Sequence, residues 1–353
     1  MSVPRPSAQG NLMESHGKLS KSHIVNERLI DIPLLLYGVL FICAGMLMYL
    51  LGLLMSLPRL IFGLNWLLLG LNEWIVWYSG VPVTIGTLLV FADLFVLFPA
   101  KRSRVGVFFE PLPDLHITVA LTAYNDEDSI GDSVRDFLVH PLVKRVIVVS
   151  NNSTDRTLER AVQSGAIAFD EPLQGYGHCV YRCFKEATGF EDTDLIVLCE
   201  GDLTFRAYDV DKLVAYVPHA DIVNGTRIVE QLRDPDTQLS TFIYYGNFFA
   251  AKLLEAKRLG KGTFTDLGST YKLCRRTALQ HLLPSLNPAV NLEFNAHFLD
   301  TALAHNLRVV ECPITFHQRV GISKGGNVNN RRAFKVGIRM ILGLVLGWRA
   351  TGP

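Results

Sequence analysis

The 353-residue sequence has no excess charge of either sign: 34 Lys and Arg stand against 33 Asp and Glu, for a net charge of +1. A chain this balanced has no global pull toward nucleic acid, so a charged partner has to be met by local clusters. Cysteine is scarce, with six residues at Cys43, Cys179, Cys183, Cys199, Cys274 and Cys312. Only Cys179 and Cys183 lie close together. Their spacing suits one face of a helix, and no second pair or histidine pair completes a zinc site. Reduced, structural thiols in a reducing compartment are expected. No short apolar run stands at the N-terminus, which argues against a cleavable signal peptide.

Apolar residues make up 49% of the chain and most of the excess precedes residue 101. The stretch "IPLLLYGVLFICAGMLMYLLGLLMSL" carries no charge and exceeds the roughly 20 residues a helix needs to cross a hydrocarbon core. "PVTIGTLLVFADLFVLFPA" is a second such segment, with Asp93 expected to tuck against the partner helix or near an interface. Between them, Trp66, Trp74 and Trp77 suit an interfacial or re-entrant helix, with a third span as the alternative. Basic residues flank both outer ends, so an in-out-in hairpin with the remaining chain in the cytosol is expected. The expected divisions are a disordered tail over 1–29, a membrane domain over 30–104 with spans near 32–57 and 82–100, a catalytic domain over 111–320, and a loop with an interfacial helix over 321–353.

From Leu115 the pattern changes to short β-rich runs alternating with amphipathic helices, which predicts an α/β domain with a mostly parallel sheet. "HITVALTAY", "VKRVIVVS", "AIAFDE" and "DLIVLCE" read as strands, and Ser153 or Thr154 as the N-cap of the helix after the second. Ligands of such sheets sit beyond the carboxyl ends of the strands. The segments found there are "TAYND", "SNNSTD", "EPLQGYG" and "EGD". All are polar or glycine-rich, so one convergent site is expected.

Together "LTAYND", "SNNSTDRT", "QGYGHCVYRCFKEATG", "EGDL", "DLGSTYKLCRRTALQHL" and "ECPITFHQRVGISKGG" resemble, in order and spacing, the family 2 glycosyltransferases with a GT-A fold, and among them the dolichyl- and polyprenyl-phosphate sugar synthases. The resemblance covers about residues 115–327. It implies a Rossmann-like, mostly parallel GT-A domain facing the cytosol, behind the N-terminal transmembrane hairpin and before a C-terminal amphipathic helix.

The resemblance implies that Glu200 and Asp202 hold Mg²⁺ or Mn²⁺ against the diphosphate of a UDP- or GDP-linked sugar, hard cations preferring oxygen ligands. Glu200 stands where the family has an aspartate. Thr122, Tyr124, Asn125, Asp126, Ser150, Asn151, Asp155, Gly175 and Gly177 become nucleotide-sugar contacts, Ser150 in place of a base-binding aspartate. Asp266 and Arg319 join Asp202 as catalytic residues, while Ser269, Arg319, Ser323, Lys324 and Arg331 become acceptor-phosphate contacts. Relatives have an acid where His297 falls. Glu293 could substitute for it, and a core or surface histidine is the plainer reading of His297.

Basic Arg331, Arg332, Lys335 and Arg339 interleaved with Phe334, Ile338 and Ile341 suit a helix lying on the cytoplasmic leaflet; packing on the protein core is the alternative. The expected reaction is inverting attack of a polyprenyl or dolichyl phosphate on the anomeric carbon, in an integral membrane protein of a bacterial or archaeal plasma membrane or the ER. A phosphate monoester, with a second pKa of about 6, needs no strong base. The alternatives are transfer to a lipid or polysaccharide hydroxyl, which needs a carboxylate base, and a non-catalytic membrane scaffold. Nucleic acid is not expected as a partner, and a homo-oligomer is left open. The missing Gln-x-x-Arg-Trp block disfavours processive polymer synthesis.

Overall fold

The structure, a computed structural model, describes residues 32–63, 69–101, 108–112, 115–235, 237, 239–321 and 330–348. Helix α1 spans Leu34–Phe62, α2 Leu69–Tyr78 and α3 Gly80–Phe91, and α3 continues through a π-helical turn, Ala92–Leu97, and a last turn, Phe98–Lys101. Two helical stretches, Leu34–Phe62 and Gly70–Lys101, are long and apolar enough to cross a membrane, by length and composition only.

Helices α1 and α3 cross closely because both present glycine at the crossing: a Cβ on Gly38 would meet Gly86 O at 2.7 Å. Asp93 is fully buried there, paired with Lys101 Nζ at 2.6 Å and accepting from Leu35 N at 2.6 Å. The acid therefore joins the start of α1 to the end of the α3 stretch. The segment expected as an interfacial helix contains α2, on which Trp74 and Trp77 are exposed, while Trp66 lies outside the described residues. Helix α1 runs on through Pro58, and buried Asn72 in α2 donates to Ser56 Oγ at 2.8 Å, which fixes α2 against α1. Leu36 belongs to the same buried cluster as Phe184 and Phe298, so the first turn of α1 is part of the α/β core.

The α/β part begins with β1 (Ile117–Ala123), α4 (Ile130–Leu138), β2 (Val143–Ser150), α5 (Thr157–Gln163), β3 (Ile167–Asp170), α6 (Tyr176–Thr188) and β4 (Leu195–Glu200). It continues with α7 (Val210–Tyr216), β5 (Ile222–Thr226), α8 (Thr241–Lys257), β6 (Lys272–Arg275), α9 (Arg276–Leu282), α10 (Phe294–Ala304), β7 (Val309–Pro313) and α11 (Asn330–Leu346). The seven strands lie in the order β3-β2-β1-β4-β6-β5-β7, with β6 antiparallel to both neighbours and the other pairs parallel. All four strands read from the sequence are present. β1 is buried along its whole length, as a central strand covered on both faces requires.

Register sets the site: Ala123 pairs with Ser150 and Thr122 with Glu200, so β1, β2 and β4 end side by side. Helix α5 starts later than expected, at Thr157 with Arg156 before it, because Ser153 and Thr154 are used by the preceding loop. Helix α6 packs against the segment before α10, and Gly177 makes that approach workable. A Cβ there would run into Val290 O and stand 2.6 Å from Pro288 O. Both obstacles are backbone, so Gly177→Ala is expected to cost about 3 kcal/mol by overpacking; urea unfolding measures it, and an unchanged midpoint would refute the contact.

Candidate active site

The loops after β1 and β2 are laced together by their own side chains. Asn125, at φ 52, donates its N–H to Ser153 Oγ (3.0 Å) and accepts from Thr154 N at Oδ1 (2.7 Å). Asp155 accepts from Glu127 N at 3.2 Å and from Thr157 N at 3.0 Å. Asn151 donates to Leu173 O (2.7 Å) and accepts from Gly175 N (2.8 Å), which ties β2 to the turn before α6. Ser150 Oγ donates to Ser153 Oγ at 2.8 Å. Asn125, Asn151 and Asp155 thus shape the loops beyond β1 and β2, each spending polar atoms on the loops themselves.

Beyond these strand ends lies a cavity of about 800 Å³, lined on its polar side by Thr122, Tyr124, Asp126, Glu200, Arg227 and Arg319. Its other wall is apolar, with Phe242 and Phe249 of α8 facing Phe334, Ile338 and Ile341 of α11. Glu200 Oε1 accepts from Thr270 Oγ1 at 2.7 Å, and Asp202 Oδ1 from Thr204 Oγ1 at 2.6 Å. The remaining oxygens turn toward one cation. Arg319 stands 2.9 Å from Asp126 Oδ1, 3.0 Å from Asp202 Oδ2 and 4.0 Å from Glu200 Oε2. The Asp202 contact is a close ion pair without an aligned hydrogen bond, since buried Oδ2 has no hydrogen-bond partner. Burial first, and the charge of Glu200 second, push Asp202 up to about 7, against the opposing pull of Arg319.

Among the described residues no three His, Cys, Asp or Glu side chains converge on a closed metal cage. Two carboxylates with one oxygen each to spare fit a different kind of site. Mg²⁺ and similar ions are commonly held by one or two carboxylates plus substrate phosphates and water. Glu200 and Asp202 match that pattern.

Asp266 is buried and does not line the cavity; it holds Arg227, which does. Arg227 Nε and Nη2 reach the carboxylate at 2.7 and 2.8 Å. Burial opposes ionisation of Asp266, but the charge and hydrogen bonds of Arg227 outweigh it and lower its pKa. The sequence reading missed Arg227, although "DIVNGTR" carries the signal: an apolar strand ending in a cation. It also missed Tyr176, Thr270 and Asn295, whose mutual hydrogen bonds, from 2.8 to 3.5 Å, back Glu200.

Ser269 is fully buried, with a hydroxyl that has no partner, and Arg331 is exposed on α11; neither lines the cavity. Ser323 and Lys324 lie outside the described residues. His297 is a core residue: its Nε2 accepts from Asn287 N at 2.9 Å, and burial lowers it to about 4, so it stays neutral. Glu293 is buried, with Oε1 lacking a hydrogen-bond partner and 3.9 Å from Arg339, and burial raises its pKa.

The model of the family described as "Glycosyl transferase family 2" matches residues 118–283, which carry β1 to β6 and the Glu200–Asp202 pair. A relative from Shigella flexneri, "Protein RfbJ", is 30% identical over 114 residues, which are 32% of this chain and 85% of that protein. The chain belongs to glycosyl transferase family 2. With the family comes glycosyl transfer as the enzyme class. The glycosyltransferase is also 26% identical, over 66% of its length, to the "Low-salt glycan biosynthesis hexosyltransferase Agl6" of Haloferax volcanii, and it spans 59% of that protein.

Among solved structures it is similar to glucosyl-3-phosphoglycerate synthase from Mycobacterium tuberculosis in complex with Mn²⁺, UDP-glucose and phosphoglyceric acid. That match has 19% identity, covers 67% of this chain and 82% of the other, and has a TM-score of 0.48. The second ligand of that complex is phosphoglyceric acid, and the expected polyprenyl- or dolichyl-phosphate acceptor is not carried further. The transmembrane hairpin, the bilayer as partner and the integral-membrane localisation were read from the length and flanking charges of the two apolar runs; they are not carried further, and what stands is two helical stretches long and apolar enough to cross a membrane by length and composition only. The mostly parallel GT-A fold stands.

Proposed function

We propose that this glycosyltransferase moves a hexose from a UDP-hexose to a hydroxyl group of an acceptor. The observation that carries the reading is the cavity itself: strand-end carboxylates and two arginines on one wall, and an apolar wall opposite. The likeness of the sequence blocks to the dolichyl- and polyprenyl-phosphate sugar synthases is a likeness of motifs, and the phosphate acceptor of those enzymes is not carried over.

An alcohol, unlike a phosphate, has to lose its proton as it attacks, so a base is needed. Glu293 suits that role. It does not itself line the cavity but belongs to the segment whose Leu292 and Asn295 do, and its buried, raised carboxyl has an oxygen without a hydrogen-bond partner. In the proposed step the acceptor oxygen gives its proton to Glu293 and bonds to the anomeric carbon, while the bond from that carbon to the diphosphate oxygen breaks with inversion. Glu200 and Asp202 would hold the divalent cation, which neutralises charge growing on the departing UDP. Arg227 and Arg319 supply further positive charge on the same wall.

UDP release from UDP-glucose, UDP-galactose and UDP-N-acetylglucosamine, with Mn²⁺ and a panel of alcohols, tests the reading. Failure of every UDP compound to bind or turn over would overturn it. Glu293→Gln is expected to lower kcat about 100-fold with the donor KM unchanged. Wild-type kcat in that variant would remove Glu293 as the base.

A further inference from the structure

Arg319 lies where the metal-bound diphosphate of the proposed reaction has to arrive. Its guanidinium is the one described side-chain cation in ion-pair contact with Asp126, Glu200 and Asp202, and the Asp202 and Glu200 oxygens it faces are those a divalent ion would use. The fit is incomplete: Arg319 Nε is buried without a hydrogen-bond partner, and Asp202 Oδ2 pairs by charge alone. As placed, the guanidinium makes an aligned hydrogen bond to Asp126 but only charge contacts to Glu200 and Asp202, whereas a spherical ion takes oxygens from several directions. The anchors around the residue are backbone bonds, His317 N to Thr204 O at 2.9 Å and Val320 N to Asp202 O at 3.1 Å. They fix the chain on either side, so a change of side-chain rotamer at Arg319 need not move the backbone.

We propose that Arg319 is the resident counter-cation of this site, exchanged for the divalent ion when the donor binds, its guanidinium passing from the carboxylates to the incoming diphosphate. The proposal rests on the reading of the cavity as a nucleotide-sugar site. Its consequence is that metal and nucleotide bind as a pair. Metal alone must displace Arg319 from Asp202 and Glu200 and leave it Asp126 alone, while metal with UDP supplies a further negative receiver. Linkage makes the effect reciprocal, each ligand tightening the other by the same factor.

Mn²⁺ binding followed by electron paramagnetic resonance, with and without UDP, tests this in the full chain without turnover. In wild type, saturating UDP is expected to tighten Mn²⁺ at least tenfold. Arg319→Gln is expected to bind Mn²⁺ alone more tightly than wild type does and to lose most of the gain from UDP. Arg319→Lys, which keeps the charge but not the fork, is expected to fall between the two, and circular dichroism reports whether each variant is folded. If folded Arg319→Gln binds Mn²⁺ alone no better than wild type and keeps the full gain from UDP, the exchange is refuted. If wild type binds neither UDP nor Mn²⁺ under any condition, the reading of the cavity fails first and the exchange falls with it.

Discussion

Asp202→Asn is expected to lower metal-dependent sugar transfer by about 1,000-fold, the scale lost when one pre-aligned group at a developing charge is removed. The change is nearly isosteric and keeps an oxygen for Thr204, so the loop after β4 should hold its shape. What disappears is the buried oxygen that faces Arg319. Stability should move the other way. Asp202 is pushed up to about 7 in the fold, so between its ordinary value near 3.8 and 7 the folded protein binds more protons than the unfolded chain. Stability from this group is therefore greatest at low pH and falls as pH rises through that window. The asparagine variant escapes the cost. At pH 8 without metal it should melt no lower than wild type, and at pH 5 the difference should shrink. Scanning calorimetry at both values, beside a UDP-release assay, separates a lost ligand from a lost fold. Full turnover in the variant would move the metal site elsewhere.

The same pKa ties metal binding to pH. A divalent ion competes with the proton on Asp202, so Mn²⁺ affinity should rise as pH increases through about 7 and level off above it.

Much of this architecture was legible in the sequence because its signals are local. β1, β2 and β4 are apolar, β-rich runs that end on polar residues, and a parallel sheet places such ends together. Glu200 and Asp202 could be found that way with no knowledge of their neighbours. Arg227 could not, because its meaning depends on Asp266, 39 residues later, and only the pairing of β5 with β6 brings them together. Asn151 and Asp155 were legible as polar residues beyond a strand end but not in their task, since a polar side chain there serves a ligand and a loop equally well. His297 was ambiguous for a related reason. Only its buried bond to Asn287 N shows that the histidine is spent on the fold.

Asp266→Ala should be the most destabilising single change at the site, by about 3–5 kcal/mol, because it strands a buried guanidinium. Arg227 is 7% exposed, and its other close neighbour of note is the ring of Phe316, 5.3 Å from the guanidinium carbon, which cannot replace a bidentate carboxylate. The loss should lie in what is left behind more than in the pair's own worth. Replacing both partners, Arg227→Met with Asp266→Leu, should therefore recover most of the stability, since a buried ion pair and an apolar pair of similar volume are often close in free energy. Activity should not follow. The double variant would be folded yet lack the cation that Asp266 holds at the cavity wall, and its UDP affinity and turnover should stay low. Urea unfolding of both variants, with UDP titration of the double variant, distinguishes the two roles. A stable Asp266→Ala would show that Arg227 finds other partners, and a fully active double variant would show that the Asp266–Arg227 pair serves the fold alone.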